Sequence, residues 1–289
     1  MFPASFEYHR AQSVKDALAL LTRFGQDAKL LSGGHSLLPM MKLRLAQPAH
    51  LIDIGSVSEL GQIAEEGGKV VIGAGVTHRE VADSAVIQNK LQALAEAAAQ
   101  IGDVQVRNRG TVGGALAHAD PAADYPAAVL ALEGEIKLES AQGTRTVKAQ
   151  DFFVDLLTTV MNPDEILRQI SFAPPGPNSG SAYLKHPQPA SGFALVGVAA
   201  LVGVGRDGNC EKVRVGITGL GPKAFRASGV ESALAGKKPE AGAIAAAAAH
   251  AADGIDCLSD IHASADFRAE LARVYTRRAI EKALERCRR

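Results

Sequence analysis

Apolar positions recur with two periods along this chain. Val14, Leu18 and Leu21 share one helical face behind Ser13-Val-Lys-Asp16, a capping-box pattern, and Gly25 is a stop signal. The runs Lys29-Leu-Leu-Ser32, His50-Leu-Ile-Asp-Ile54 and Lys69-Val-Val-Ile72 predict strands, the last with buried character. Thr77-His-Arg-Glu80 is a second capping box. The Ala-rich stretch 91–101 predicts a helix, and 127–132 a shorter one. Residues 135–139 and 144–148, joined by Ser140-Ala-Gln-Gly143, predict two strands about a turn, with a further strand at 165–172. The stretch Ala173-Pro-Pro-Gly-Pro-Asn-Ser-Gly-Ser181 is dense in chain breakers and predicts a linker. Strands at 193–204 and 212–218 follow, around an Arg206-Asp-Gly-Asn209 turn. Three helical stretches end the chain, the last from Asp266 to about Arg288.

Strands and helices alternate early, and later strands precede helices, so the order predicts an α/β half and an α+β half. The first 55 residues read as one unit, Ser56 onward starts a second, and the linker divides the two halves. A length of 289 residues suits two domains.

Composition narrows the function. Basic and acidic residues balance at 31 each, which leaves no electrostatic footprint for nucleic acid and favours association with partners. Nine Phe, four Tyr and no Trp leave the core to Ala, Val, Leu and Ile. The longest apolar run, 193–204, is too short and too Gly-interrupted to span a bilayer. Cys210, Cys257 and Cys287 lie far apart with no Cys-x-x-Cys, so this chain alone makes no iron–sulfur cluster or Cys-based zinc site. The lack of a disulfide framework or signal-peptide pattern predicts a cytoplasmic setting.

Glycine is in excess: 29 of 289 residues, against an average of about 7%. Gly33-Gly34-His35-Ser36 directly follows a predicted strand, and Gly110-Thr-Val-Gly-Gly114 lies in a polar-to-apolar transition. Glycines after a strand let backbone N–H groups converge on an anion. The two turns are expected to fold together and bracket a pyrophosphate, or else to be two ordinary tight turns. No Lys or Arg lies between Ser32 and Met41, so backbone dipoles would do the neutralising.

Familiar nucleotide motifs fail. There is no P-loop, and Gly73-Ala-Gly75-Val-Thr-His78 has His78 where a dinucleotide fingerprint needs its third glycine. His118-Ala-Asp120 lacks a third clustered metal ligand, and no Gly-x-Ser-x-Gly elbow supports a hydrolase triad. Asp124 suits hydroxyl recognition, and equally suits capping a helix that begins near Pro126.

Taken together, Leu31-Ser-Gly-Gly-His-Ser-Leu-Leu-Pro-Met-Met-Lys42, Arg109-Gly-Thr-Val-Gly-Gly114 and Ala119-Asp-Pro-Ala-Ala-Asp124 resemble the FAD-binding medium subunit of molybdenum hydroxylases, the aerobic carbon monoxide dehydrogenase and xanthine dehydrogenase families. The resemblance covers essentially the whole chain. It implies an α+β fold: a vanillyl-alcohol-oxidase-type FAD-binding domain at 1–174 of two α/β subdomains, about 1–55 and 56–174, then a C-terminal α+β domain of the carbon monoxide dehydrogenase flavoprotein type at 178–289. It also implies that Ser32, Gly33, Gly34, His35, Ser36, Leu37 and Leu38 hold the pyrophosphate of a non-covalent FAD through main-chain N–H groups. Thr111, Gly113 and Gly114 would form the second half of the cradle, and Asp124 would bind the sugar-like portion. Leu167 would give the flavin an apolar contact. Lys185 would hold positive charge near the isoalloxazine, its bland alternative being a solvated surface lysine, and Phe193 would stack beside the ring. No catalytic acid or base and no metal ligand is expected on this chain. Molybdopterin and [2Fe–2S] clusters would reside on a large and a small partner subunit, in a dimer of heterotrimers. The implied function is electron transfer from those clusters through FAD to an external acceptor. The alternatives are a free-standing FAD oxidase of this fold and a flavin-free scaffold.

Overall fold

The computed structural model describes residues 2–287. The chain opens with β1 (Glu7–Arg10), α1 (Val14–Phe24), β2 (Ala28–Leu31), α2 (Leu37–Lys42) and β3 (His50–Asp53). Its strands pair in parallel in the order β1-β3-β2. Helix α1 starts where its capping pattern predicts, with the Asp16 N–H donating to the Ser13 hydroxyl at 3.1 Å. The Asp16 carboxylate accepts from the Gln12 N–H at 2.9 Å, one residue ahead of the reciprocal bond of a full capping box. Val14, Ala17, Leu18 and Leu21 form the buried face of α1.

Next come β4 (Ile63–Glu66), β5 (Lys69–Gly73), α3 (His78–Asp83), α4 (Ala85–Lys90), α5 (Gln92–Ala99), α6 (Val104–Arg107), α7 (Val112–His118) and α8 (Asp124–Ala131). After them are β6 (Glu135–Ser140), β7 (Gly143–Lys148), α9 (Ala149–Phe152), the short pair β8 (Phe153–Asp155) and β9 (Thr158–Thr159), and β10 (Ile166–Phe172). Five strands make an antiparallel sheet in the order β4-β5-β10-β6-β7. The β6–β7 hairpin turns where the sequence places it, with Ser140 opposite Gly143. The Thr77 capping box is complete: Thr77 Oγ1 accepts from the Glu80 N–H, and Glu80 Oε2 accepts from the Thr77 N–H.

Helix α7 lies in a stretch too glycine-rich to read as helix. It forms because Thr111 Oγ1 accepts the Gly114 N–H at 3.2 Å, and because Val112 and Leu116, one turn apart, are both buried.

The remainder is β11 (Ser179–Pro187), β12 (Ala194–Val204), β13 (Cys210–Thr218), β14 (Phe225–Arg226), α10 (Ser228–Leu234), α11 (Ala241–Ala248) and α12 (Ala265–Cys287). The predicted helix end at Arg288 lies outside the described residues. The four strands are antiparallel in chain order. Strand β11 begins inside the predicted linker, because Ser179, Gly180 and Ser181 pair with Gly203, Val202 and Leu201. Helix α12 packs on β11 and β12, and α8, buried at all eight positions, packs on β12 and β13. Alternation divides the strands between two cores: Tyr183 and Ala199 join the first, while Ala182, Val198, Ala200 and Val202 join the second. A strand covered on both faces reads as a continuous apolar run, which is what β12 is. Among the described residues no helix is long and apolar enough to cross a membrane.

Glu96 ties three elements together. Its carboxylate accepts the Tyr183 N–H (2.8 Å), Lys282 Nζ (2.7 Å) and Arg286 Nη2 (2.6 Å), linking α5 to β11 and α12. Burial pushes this carboxyl up, but the bonds from Arg286, Lys282 and the Tyr183 N–H outweigh burial and hold it below its ordinary value. The stabilisation is therefore complete above the ordinary value of 4.5 and is lost as the pH falls through the lower folded value. Glu96→Gln should cost about 1.5–3 kcal/mol at pH 7, the range for hydrogen bonds to charged groups. The difference from the parent should shrink when denaturant midpoints are compared at pH 3.

Candidate functional site

The two glycine turns meet. Ser32 Oγ and Thr111 Oγ1 are hydrogen bonded at 3.1 Å across the gap between them. A Cβ on Gly33 would lie 2.7 Å from Gly110 Cα, and closer still to the Arg109 carbonyl oxygen. Only a residue without a side chain permits this approach of the two backbones. Gly34 takes the left-handed conformation at φ 78° and turns the chain into α2.

This crossing leaves a row of donors. Among the described residues, the main-chain N–H groups of Gly33, Gly34, His35 and Ser36 make no hydrogen bond within the chain; the first bond of the turn is Leu38 N–H to Gly34 O, 3.0 Å. His35, Ser36 and Leu38 are exposed, and Leu37 is half-buried. Consecutive free N–H groups on an exposed turn suit an anion such as a phosphate.

The second turn is arranged differently. Gly113 donates to Ala74 O at 2.9 Å, and a Cβ there would meet Ala74 Cα at 2.8 Å and the Ala74 side chain closer still. Gly114 donates to Thr111. The Gly113 N–H and its missing side chain both serve the packing of α7 on the strand end after β5. Thr111 acts as the brace that holds the first turn in place.

Beneath the brace lies His78, which the sequence marked only as a broken glycine motif. It is buried, its Nδ1 has no hydrogen-bond partner, and its ring lies 5.3 Å from that of Tyr125, whose buried hydroxyl is also unpartnered. The His78 N–H donates to Gly110 O at 2.9 Å. Burial, with the nearby charges of His35 and Arg107, lowers the imidazole from 6.5 to about 4. Between these values the unfolded chain takes up a proton that the folded chain refuses. Stability should therefore fall by about 1.4 kcal/mol per pH unit below 6.5, or roughly 3 kcal/mol in all. Urea midpoints across pH 4–7 test this, and His78→Leu should flatten the slope.

Helix α7 carries the chain from Thr111 toward the seam between the two cores, roughly 10 Å at 1.5 Å per residue. There Asp124 and Lys185 meet. Lys185 Nζ lies 2.9 Å from Asp124 Oδ1 and donates to Gln100 O and Gly192 O, each at 2.7 Å. The Tyr183 hydroxyl donates to the same carboxylate oxygen at 2.6 Å. Burial pushes the Asp124 carboxyl up, against the opposing pull of the Lys185 charge and the Tyr183 hydroxyl. Lys185 is 9% exposed, so the solvated-lysine alternative is excluded. Asp124 is the first residue of α8, whose N-cap is Ala123.

By holding Gly192, Lys185 fixes a short loop that Gln188 also closes, donating to Phe193 O at 2.7 Å and accepting from Gly192 at 2.9 Å. Phe193 is left outside β12, 47% exposed. Leu167 is a core residue on β10 at 4% exposure. Two surface pockets, one lined by Asn178, Val204 and Leu284 and the other by Asn89, Pro174 and Ser179, include none of the expected site residues.

Sequence reasoning missed His78, Gln100, Tyr183 and Gly192. Tyr183 alone carried a usable signal, since a residue two places from Lys185 in a strand shares its face.

Known proteins agree with this architecture. The family described as the FAD binding domain in molybdopterin dehydrogenase matches residues 4–174, and the carbon monoxide dehydrogenase flavoprotein C-terminal domain matches 181–283. The chain is 42% identical over 288 residues to the carbon monoxide dehydrogenase medium chain of Hydrogenophaga pseudoflava, covering 99% of this chain and 100% of that one. It is 36% identical to the alpha subunit of the 6-hydroxypseudooxynicotine dehydrogenase complex of Paenarthrobacter nicotinovorans, covering 100% and 97%. A solved structure of the Hydrogenophaga pseudoflava carbon monoxide dehydrogenase superposes with a TM-score of 0.96 over 99% of this chain and 100% of that chain, at 42% identity. The free N–H row on Gly33 to Ser36 fits the cofactor this family implies, because it offers a diphosphate uncharged donors without a competing internal bond. The chain belongs to the FAD-binding medium chains of the carbon monoxide dehydrogenase and xanthine dehydrogenase family, the flavin-bearing subunits of molybdenum-dependent oxidoreductases.

Proposed function

We propose that this chain is the electron-exit subunit of a multi-subunit molybdenum hydroxylase. Its FAD, when bound, would take electrons from [2Fe–2S] clusters on a small subunit, fed by a molybdopterin centre on a large one, and deliver them to an external acceptor. The observation that carries the reading is the braced turn at Gly33 to Ser36, four main-chain donors with no internal partner in a family of FAD-binding domains.

On this reading Ser32, Gly33, Gly34, His35, Ser36, Leu37 and Leu38 bind the pyrophosphate. Thr111 holds the turn in register, and Gly113 and Gly114 set the position of α7. Asp124 and Lys185 act as a buried pair that fixes the seam and the loop presenting Phe193 to the ring. Leu167 closes the floor from within the core. We read residues 1–174 and 178–289 as the two domains, and the assembly as a dimer of heterotrimers. Relatives named for carbon monoxide and for 6-hydroxypseudooxynicotine share this chain's whole length. That supports a division of labour in which substrate is chosen on another subunit.

The test uses the assembled complex. A tagged chain should be yellow and should co-purify with a large and a small subunit. Gly33→Ala in that complex should lower transfer to the external acceptor in proportion to the flavin lost, while substrate still reduces the clusters. A colourless parent chain, or a variant without flavin that passes electrons at the parent rate, overturns the proposal.

A further inference from the structure

The first sheet carries a second cluster of ligating groups, at the end away from the glycine turn. In the β1–β3 register Glu7 faces His50, and His9 lies two residues further along on the same face. His9 Nε2 is 3.1 Å from His50 Nδ1. Glu7 Oε2 is 3.4 Å from His50 Nδ1 and 3.8 Å from His9 Nε2. All three ligating atoms fall within 4.8 Å of one another.

These separations match a coordination polyhedron. A tetrahedral zinc ion with nitrogen and oxygen ligands at about 2.0–2.2 Å has ligand–ligand edges of roughly 3.3–3.6 Å, and the three observed edges bracket that range. The imidazoles are also held in place. Phe24, the last residue of α1, stacks on His50 with centroids 3.8 Å apart at 15°, and on His9 at 4.7 Å and 29°. The side chains of His9 and His50 are 23% and 20% exposed and that of Glu7 is 72% exposed, so an ion can enter from solvent and keep water in its remaining position. Two imidazole nitrogens with one carboxylate favour zinc and its neighbours over magnesium or calcium, which prefer oxygen donors.

We propose that Glu7, His9 and His50 form a binding site for a divalent cation of the zinc class, which clamps β1 to β3. The ion would bind only the folded register and so would stabilise it. The site is independent of the flavin reading. Glu7, His50 and Ala28 mark the amino ends of the strands, whereas the glycine turn follows Leu31 at their carboxyl ends.

The probe is ZnCl2 titrated calorimetrically into the full chain after chelator dialysis, with MgCl2 as the comparison. The parent should take up about one zinc equivalent with a rise in Tm, and magnesium should give neither. His9→Gln and His50→Gln should each weaken zinc binding at least 10–100-fold, the cost already seen for losing a mere outer-shell partner, with flavin content unchanged. Glu7→Gln alters an exposed side chain, so it reads the site without risk to folding and should weaken binding in the same direction. A parent that binds no zinc overturns the proposal, as does zinc uptake that is the same in all three variants.

Discussion

Gly33→Ala should loosen the chain's hold on flavin. The new methyl would stand 2.7 Å from Gly110 Cα and nearer to the Arg109 carbonyl, both backbone atoms that cannot rotate away. The turn must then back off from Thr111 and give up the 3.1 Å link to Ser32. Forcing extra bulk into a packed contact costs about 1–3 kcal/mol. Charged against the flavin-bound state, that is a 5- to 150-fold loss of FAD affinity at about 1.4 kcal/mol per factor of ten. The flavin-to-protein absorbance ratio after gel filtration measures it, with far-ultraviolet circular dichroism as a check on folding. Gly176→Ala is the control, since a Cβ there meets nothing within 4 Å. Full flavin occupancy in Gly33→Ala would rule out the braced turn as the anchor. Gly113→Val is expected to behave otherwise. Its side chain would drive α7 off Ala74, so the fold should fail before the cofactor site does.

Removing the Lys185 charge should sharply lower stability. Lys185→Met leaves the buried Asp124 without its cation and strips the Gln100 and Gly192 carbonyls of their shared donor. Breaking one side of a buried ion pair typically costs about 3–5 kcal/mol. Asp124→Asn in the Lys185→Met background should recover part of this, because the stranded charge is gone while an amide oxygen can still accept from Tyr183. The shortfall from additivity should be about 1–3 kcal/mol, as for residues in one network. Denaturant midpoints of the two single variants and the double variant give the coupling. Additive effects would show that the pair is not a unit.

Some of this was legible in the chain itself, and the reasons are local. The N-cap at Ser13, the capping box at Thr77, the hairpin about Ser140 and Gly143, and the long apolar run of β12 rest on contacts between near neighbours or on a short period. The glycine turn after β2 was visible for the same reason, since it depends on what one residue lacks. Helix α7 escaped because two glycines in its first turn hide a helix whose stability comes from burial of Val112 and Leu116. Lys185 was singled out by resemblance, and its burial was not foreseen, because a lysine's surroundings come from partners 61 and 85 residues away.

The sequence alone thus determined the capped helices, the β6–β7 hairpin, the apolar run of β12 and the backbone freedom at Gly33. Tertiary structure decided what those elements bring together: Gly110 against Gly33, Ala74 against Gly113, Asp124 against Lys185, and His9 against His50. The division has one physical cause. Hydrophobic period, caps and turns are set within a few residues, whereas the desolvation and pairing that fix a buried charge or a ligand cluster exist only once distant segments have excluded water between them.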